Sequence, residues 1–320
     1  MTKRIIGTGK QVYEVIYPFA KLISNRRTPI AKKIYEELGG SSPILKLTKD
    51  QSIALEKRLN QNEKNEEYKC FIVMRCWHPR AEEVIENVKL YNPDEIILMP
   101  LYPQYSAATS GSSIKEWNDV CKKNNYKIKT STICCYSTDE NFINAHTKEI
   151  NKKIKDLKNF KLIFSAHGLP EKNIKKGDPY QWQVEQSVNK IIENLNYHNL
   201  DWILSYQSRV GPLKWIGPST DNTIIENSKI GKHIVLVPIA FVSEHSETLV
   251  ELDIEYKKLA MDNGCKQYTR IPALGTNEDF IKSMSELIIK KDEYKFNDYL
   301  YPPKIKCPSH LKKCPCLNYE

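Results

Sequence analysis

The sequence predicts an α/β protein whose parallel sheets form two similar lobes. Three observations carry that prediction. Short apolar runs of strand length recur along the 320 residues, amphipathic stretches with helical spacing lie between them, and similar polar residues follow strands in both halves.

Cys70–Arg75 (CFIVMR), Glu95–Pro100 (EIILMP) and Lys129–Tyr136 read as buried parallel strands of a first lobe. Lys161–Ala166 (KLIFSA), Trp202–Tyr206 (WILSY) and His233–Pro238 (HIVLVP) read as those of a second. Ala81–Leu90, Ile114–Lys122, Asn141–Leu157, Val184–Leu195 and Ser246–Met261 repeat apolar residues three and four apart, which makes one helical face. In the first group, strands run into Trp77-His78-Pro79 and into Tyr102-Pro103-Gln104-Tyr105-Ser106; in the second, into Ala166-His167-Gly168 and Tyr206-Gln207-Ser208. This faint internal repeat places a hinge near 140–160. The expected organisation is a first lobe over 1–145, a second over 146–290 and a cysteine-containing tail over 291–320.

Composition narrows the function. Apolar residues make up 40% and charged residues 27%, as in ordinary globular proteins. No apolar run reaches the roughly 18 residues of a membrane span. The opening MTKRIIGTGKQ lacks the apolar core of a signal peptide. The net charge of +9 comes from lysines scattered along the chain, not gathered in a stripe, which argues against nucleic acid as a partner. A diffuse positive surface suits a membrane-associated enzyme or an anionic small substrate equally well. Nine cysteines without a disulfide spacing point to a reducing cytoplasm.

In open α/β sheets, ligands bind beyond the carboxyl ends of the strands, where these polar clusters fall. His167 closes one strand and precedes Gly168, which permits close approach. An imidazole at this place can accept a proton or bind a metal. Glu247, Glu251 and Glu255 stand four apart on the following helix, with lysine only at Lys257 and Lys258. Like charges at that spacing repel by a few tenths of a kcal/mol per pair, so a ladder of this kind suits a path for metal ions or protons. Arg26, Arg27, Arg75 and Arg209 are candidates for binding anionic groups. Gly39-Gly40-Ser41-Ser42-Pro43 offers backbone N–H groups and hydroxyls, without the ending of a phosphate-binding Walker loop. No G-x-G-x-x-G follows a strand, and G-x-S-x-G and H-E-x-x-H are absent. Cys307, Cys314 and Cys316 form a C-x6-C-x-C tail whose thiolates suit a soft metal or an iron–sulfur cluster, with Cys134 or Cys135 as a fourth ligand.

Five longer blocks resemble the ferrochelatase family: MRCWHPRAEEVIENVK, PLYPQYSAATSGSSIKEW, FSAHGLPEKNIKKGDPY, SYQSRVGPLKWIGPSTD and PIAFVSEHSETLVELDIEY. The resemblance runs in family order from about Lys21 to Phe280. It implies two flavodoxin-like (Rossmann-type) lobes around a cleft. It also implies insertion of Fe(II), as substrate, into protoporphyrin IX with release of two protons, completing protohaem. On the family pattern His167 resembles the pocket histidine and Glu247 the carboxylate facing it, both catalytic. Metal contacts then fall to His167, Glu247, Glu251 and Glu255, and porphyrin contacts to Arg27, Tyr35, Ser42, Arg75, Gln207, Ser208 and His245. A [2Fe–2S] cluster on Cys135, Cys307, Cys314 and Cys316 is the corresponding expectation for the tail. The expected setting is the cytoplasm, with peripheral association at the inner membrane.

Two features depart from the family pattern. The apolar strand and Gly-rich turn that precede the segment matching Lys21 are missing, which suggests a start placed late, and Cys76 replaces a common aromatic residue. Other readings are a chelatase for coproporphyrin or another metal, and, were the strand truly absent, a non-catalytic porphyrin or haem binder.

Overall fold

The computed structural model describes residues 28, 29, 32, 35–61, 66–208, 211–293, 295, 296, 299, 300 and 306–317. In chain order the first part comprises α1 (Ile44–Asn60), α2 (Ala81–Tyr91), β1 (Glu95–Leu98), α3 (Ser110–Lys123), β2 (Lys129–Ile133) and α4 (Glu140–Ile154). The second comprises β3 (Phe160–His167), α5 (Glu171–Lys175), α6 (Tyr180–Leu195), β4 (Trp202–Gln207), α7 (Thr220–Lys229) and β5 (His233–Pro238). A π-helix (Glu247–Glu255), α8 (Tyr256–Asp262), β6 (Tyr268–Arg270), α9 (Glu278–Ile289) and a short hairpin of β7 (Lys295–Phe296) and β8 (Tyr299–Leu300) follow.

These strands make two four-stranded sheets, ordered β1-β2-β8-β7 and β4-β3-β5-β6. All pairings are parallel except the β7–β8 hairpin. In the second sheet the chain leaves β3 for β4 on one side and returns to β5 on the other. The end of β3 is therefore a topological switch point, where a crevice opens between diverging connections. His167 is the last residue of that strand.

The two-sheet α/β architecture is as the sequence predicts, with local corrections. Cys70–Arg75 forms no ladder, because among the described residues no strand lies beside it; its apolar side chains still pack, Phe71 edge-on to Tyr91. The run expected over Lys129–Tyr136 stops pairing at Ile133, leaving Cys134, Cys135 and Tyr136 free to turn inward. The helix expected over Ser246–Met261 opens as a π-helix and tightens to α only at Tyr256. The hairpin after residue 291 extends the first sheet by pairing β8 with β2.

One apolar core links both halves. It runs from Leu55 and Leu59 of α1 through α4, α6 and α9 to the β3 and β5 interior. Phe142 and Phe280 meet Tyr136 and each other at its centre. His146, fully buried, stands edge-on to Phe142 with neither ring nitrogen bonded, and burial pushes its pKa down to about 3.

Candidate active site

His167 is aimed by its own neighbours. Its Nδ1 lies 2.7 Å from the carbonyl oxygen of Gly168. A carbonyl can only accept, so Nδ1 carries a proton, and in the neutral tautomer this leaves the lone pair on Nε2. That Nε2 stands 3.8 Å from Glu247 Oε2. The gap is too long for a hydrogen bond. Two ligands at about 2.1 Å from one ion would span such a gap. Glu247 Oε2 is itself buried with no hydrogen-bond partner. An unpaired carboxylate oxygen costs free energy unless something positive meets it.

The π-helix sends its three glutamates to three environments. Its terminal bond runs from the Tyr256 N–H to the Glu251 carbonyl, five residues back, the wide spacing that distinguishes this helix. Glu247 faces His167, Glu251 faces the end of β4, and Glu255 is exposed. Glu251 Oε1 accepts from the Ser208 N–H (3.2 Å) and the Tyr256 hydroxyl (3.1 Å). Its Oε2 accepts from Gln207 Nε2 (3.1 Å) and Ser208 Oγ (2.7 Å). A carboxylate has about four lone-pair directions, and here each is filled by protein. Glu251, expected as a metal ligand, thus clamps the β4 end, and the oxygen left without a partner belongs to Glu247.

Ser208 is held at φ +58°, a left-handed conformation uncommon outside glycine. Behind it, Ser165 Oγ donates to Gln207 Oε1 at 2.7 Å, fixing which end of that amide faces Glu251. A cavity of about 640 Å³ borders this clamp, lined by Tyr206, Gln207, Ser208, Trp215, Glu251 and Tyr256 among others. His167 and Glu247 do not line it, so it adjoins the pair instead of containing it.

His245 packs at 4.7 Å and tilted 52° against Phe241, which in turn stands edge-on to His167 at 6.4 Å. Its Nδ1 faces the Ser243 carbonyl at 3.1 Å. Glu244, beside it, is engaged: Arg270 Nη1 and the Ala273 N–H both donate to its Oε1, while Arg270 grips Asp253 with two further bonds. Glu244 and Asp253 therefore brace the π-helix against β6.

The first lobe faces this arrangement through Tyr102. Burial, then the neighbouring Cys76 and Glu247, push its phenol up, with Arg75 opposing. Arg75 pairs with Glu116 at 3.0 Å and reaches Ser112, so its guanidinium is fixed on α3. Tyr35 is exposed, and Ser42 Oγ accepts from the Ile44 N–H at the start of α1. Arg26, Arg27 and Arg209 lie outside the described residues.

At the far end of β2, five cysteines share one buried cluster: Cys134, Cys135, Cys307, Cys314 and Cys316. The sulfurs of Cys134, Cys314 and Cys316 lie within 4.8 Å of one another. The tight triad thus uses Cys134, not the expected Cys135. Hydrogen bonds from Cys134 and Cys314 bring the Cys316 thiol down to about 6, whereas burial pushes Cys134 up.

Tyr180 and Phe241 escaped sequence reasoning. Both lie within the long matching blocks, yet nothing in their local pattern separates a residue supporting a histidine from an ordinary core aromatic.

A family model described as ferrochelatase matches residues 3–292. A curated ferrochelatase of Pelagibacter ubique is 83% identical, covering 95% of this chain and 88% of that protein. One from Rickettsia bellii is 47% identical over 94% of this chain and 84% of its own length. One from a Wolbachia strain of Drosophila simulans is 51% identical over 84% and 85%. Among solved structures, SirB from Bacillus subtilis with Fe3+ superposes with a TM-score of 0.56 at 14% identity, covering 78% of this chain and 91% of that one. At that identity the likeness speaks for the fold alone.

Proposed function

The chain belongs to the ferrochelatase family and inserts ferrous iron into protoporphyrin IX in haem synthesis, and we propose that His167 takes the pyrrole protons while Glu247 orients the iron. The supporting observation is the facing pair itself: a bare Nε2 lone pair and a buried, unpartnered carboxylate oxygen 3.8 Å apart. A porphyrin hides its nitrogen lone pairs behind two N–H protons. Entry of Fe(II) forms the metal–nitrogen bonds as both protons leave, so a base must stand at one face. Bending the ring in a rigid cleft exposes those lone pairs, with strain of a few kcal/mol drawn from binding elsewhere on the macrocycle. Gln207 and Ser208, which line the cavity, and His245 would contact the porphyrin from the second lobe, and Arg75, Tyr35 and Ser42 from the first, while Glu255 offers an exposed acidic group at the π-helix end.

The test is an anaerobic assay with Fe(II) and protoporphyrin. His167→Ala should still bind porphyrin, seen by fluorescence quenching, while haem formation falls by about 10²–10⁴. Unchanged turnover would sink the assignment.

For the tail, Cys134, Cys314 and Cys316 with Cys307 as fourth thiolate fit a [2Fe–2S] cluster: three buried sulfurs and a half-buried one, three already within mutual reach and one of lowered pKa. Such a cluster supplies one-electron chemistry and a covalent staple for the tail when bound.

The protein works in the cytoplasm at a membrane surface. Among the described residues no helix is long and apolar enough to cross a membrane. Val73 and Trp77 are large apolar side chains exposed in the first lobe, and an exposed tryptophan suits the lipid headgroup region. Co-sedimentation with anionic vesicles should fall for Trp77→Ser; equal sedimentation of the two proteins refutes this placement.

A further inference from the structure

We infer that the cysteine-bearing tail positions His167 through the segment Gly177–Tyr180, with Tyr180 as a positioning residue for metal insertion. The inference rests on the catalytic role proposed for His167.

A run of contacts makes the connection. Gly177 takes φ +85°, and a Cβ there would stand 2.8 Å from the Lys312 nitrogen and 3.1 Å from the His310 oxygen. Tail backbone is thus pressed directly onto the glycine. The Lys313 N–H donates to the Gly177 carbonyl at 3.0 Å, tying the tail to this segment. Asp178, 1% exposed, then reaches both ways. Its Oδ2 accepts from Ser106 Oγ and the Ala107 N–H of the first lobe, each at 3.0 Å, and its Oδ1 from the Tyr180 N–H at 3.2 Å. Finally Tyr180 donates its hydroxyl to the His167 carbonyl at 3.0 Å.

The start of α6 is held by the tail a second time. Gln183 donates to Cys307 Sγ at 3.3 Å and accepts from the Tyr105 N–H at 2.7 Å. Tyr180 and Gln183 are one turn apart, so the tail sulfur and the His167 carbonyl grip the same helical turn. A shift of the tail therefore moves the Tyr180 hydroxyl and the His167–Gly168 backbone, whose Gly168 carbonyl holds the imidazole. Reactions that depend on near-ångström placement of a base are sensitive to such a shift.

The full-length protein can be tested with two variants. Tyr180→Phe removes one hydroxyl and keeps the ring in its buried place. Its kcat should fall about tenfold with the porphyrin KM within about twofold, since the lost bond acts on the placement of the base. The nitrogen-detected NMR signals of the His167 imidazole should shift. Gly177→Ala, remote from the imidazole, should give the same kcat loss and the same His167 shift by displacing the tail. Wild-type kcat with unmoved His167 signals in Tyr180→Phe overturns the inference, and so does a folded Gly177→Ala that turns over normally. Should Gly177→Ala fail to fold, Tyr180→Phe decides alone. If His167→Ala itself retains full turnover, the catalytic reading fails instead, and the two failures are told apart by that control.

Discussion

Glu251 holds Ser208 twice, by its backbone N–H at 3.2 Å and by its hydroxyl at 2.7 Å. The pairing stabilises a left-handed serine at the end of β4 and occupies a carboxylate that the sequence offered as a metal ligand.

Glu251→Gln should therefore act on stability before it acts on iron. The amide can accept at one end only, so two of four donors lose their partner and its N–H₂ confronts them. Unfolding free energy should fall by about 1–3 kcal/mol in denaturant titration, with the Fe(II) KM within about twofold of wild type. A large rise in that KM with stability intact would return Glu251 to the metal path.

The cysteine cluster separates two adjacent residues. After anaerobic reconstitution with iron and sulfide, Cys134→Ser should lose the visible charge-transfer bands and the bound iron, whereas Cys135→Ser should keep both. The reverse result makes Cys135 the ligand. The choice was not legible in the sequence, because neighbouring cysteines past a strand end are distinguished by how the backbone turns after Ile133.

His146 predicts an acid weakness. Its ordinary pKa of 6.5 falls to about 3 on burial, so below pH 6.5 the unfolded chain binds a proton that the native state refuses. Stability is full above that pH and is lost as pH drops through the window from 6.5 towards 3. Between pH 7 and pH 5 this one group should cost on the order of 1–2 kcal/mol. His146→Leu, which leaves no orphaned nitrogen, should shrink the difference in Tm between the two pH values; an unchanged difference refutes the attribution.

How much was legible in the sequence differs by element, for physical reasons. Buried strands such as His233–Pro238 are continuous apolar runs, and the structure places that run as read. Cys70–Arg75 has the same signature without a neighbour to pair with among the described residues, and periodicity cannot reveal the partner. Thr220–Lys229 was passed over because its sequence, TDNTIIENSK, is mostly polar; a Ser219 cap and the buried Ile224 sustain it. The π-helix was read as an ordinary helix since an extra residue per turn leaves little trace in spacing. His167 was readable as a strand-end residue and Glu247 as part of the acidic ladder, their facing one another only through the family resemblance, while the meaning of Glu251 depended on donors 43 and 44 residues away in sequence.

The pairing of β8 with β2 carries a consequence for biosynthesis. Among the described residues, every strand of the second sheet has emerged once residue 270 is translated, whereas the first sheet waits for residues 295–300. The amino-terminal half is thus the later to be completed, reversing the usual order in which nascent domains mature. Until β8 pairs, β2 keeps an open strand edge, exposed to a chaperone or to a neighbouring nascent chain.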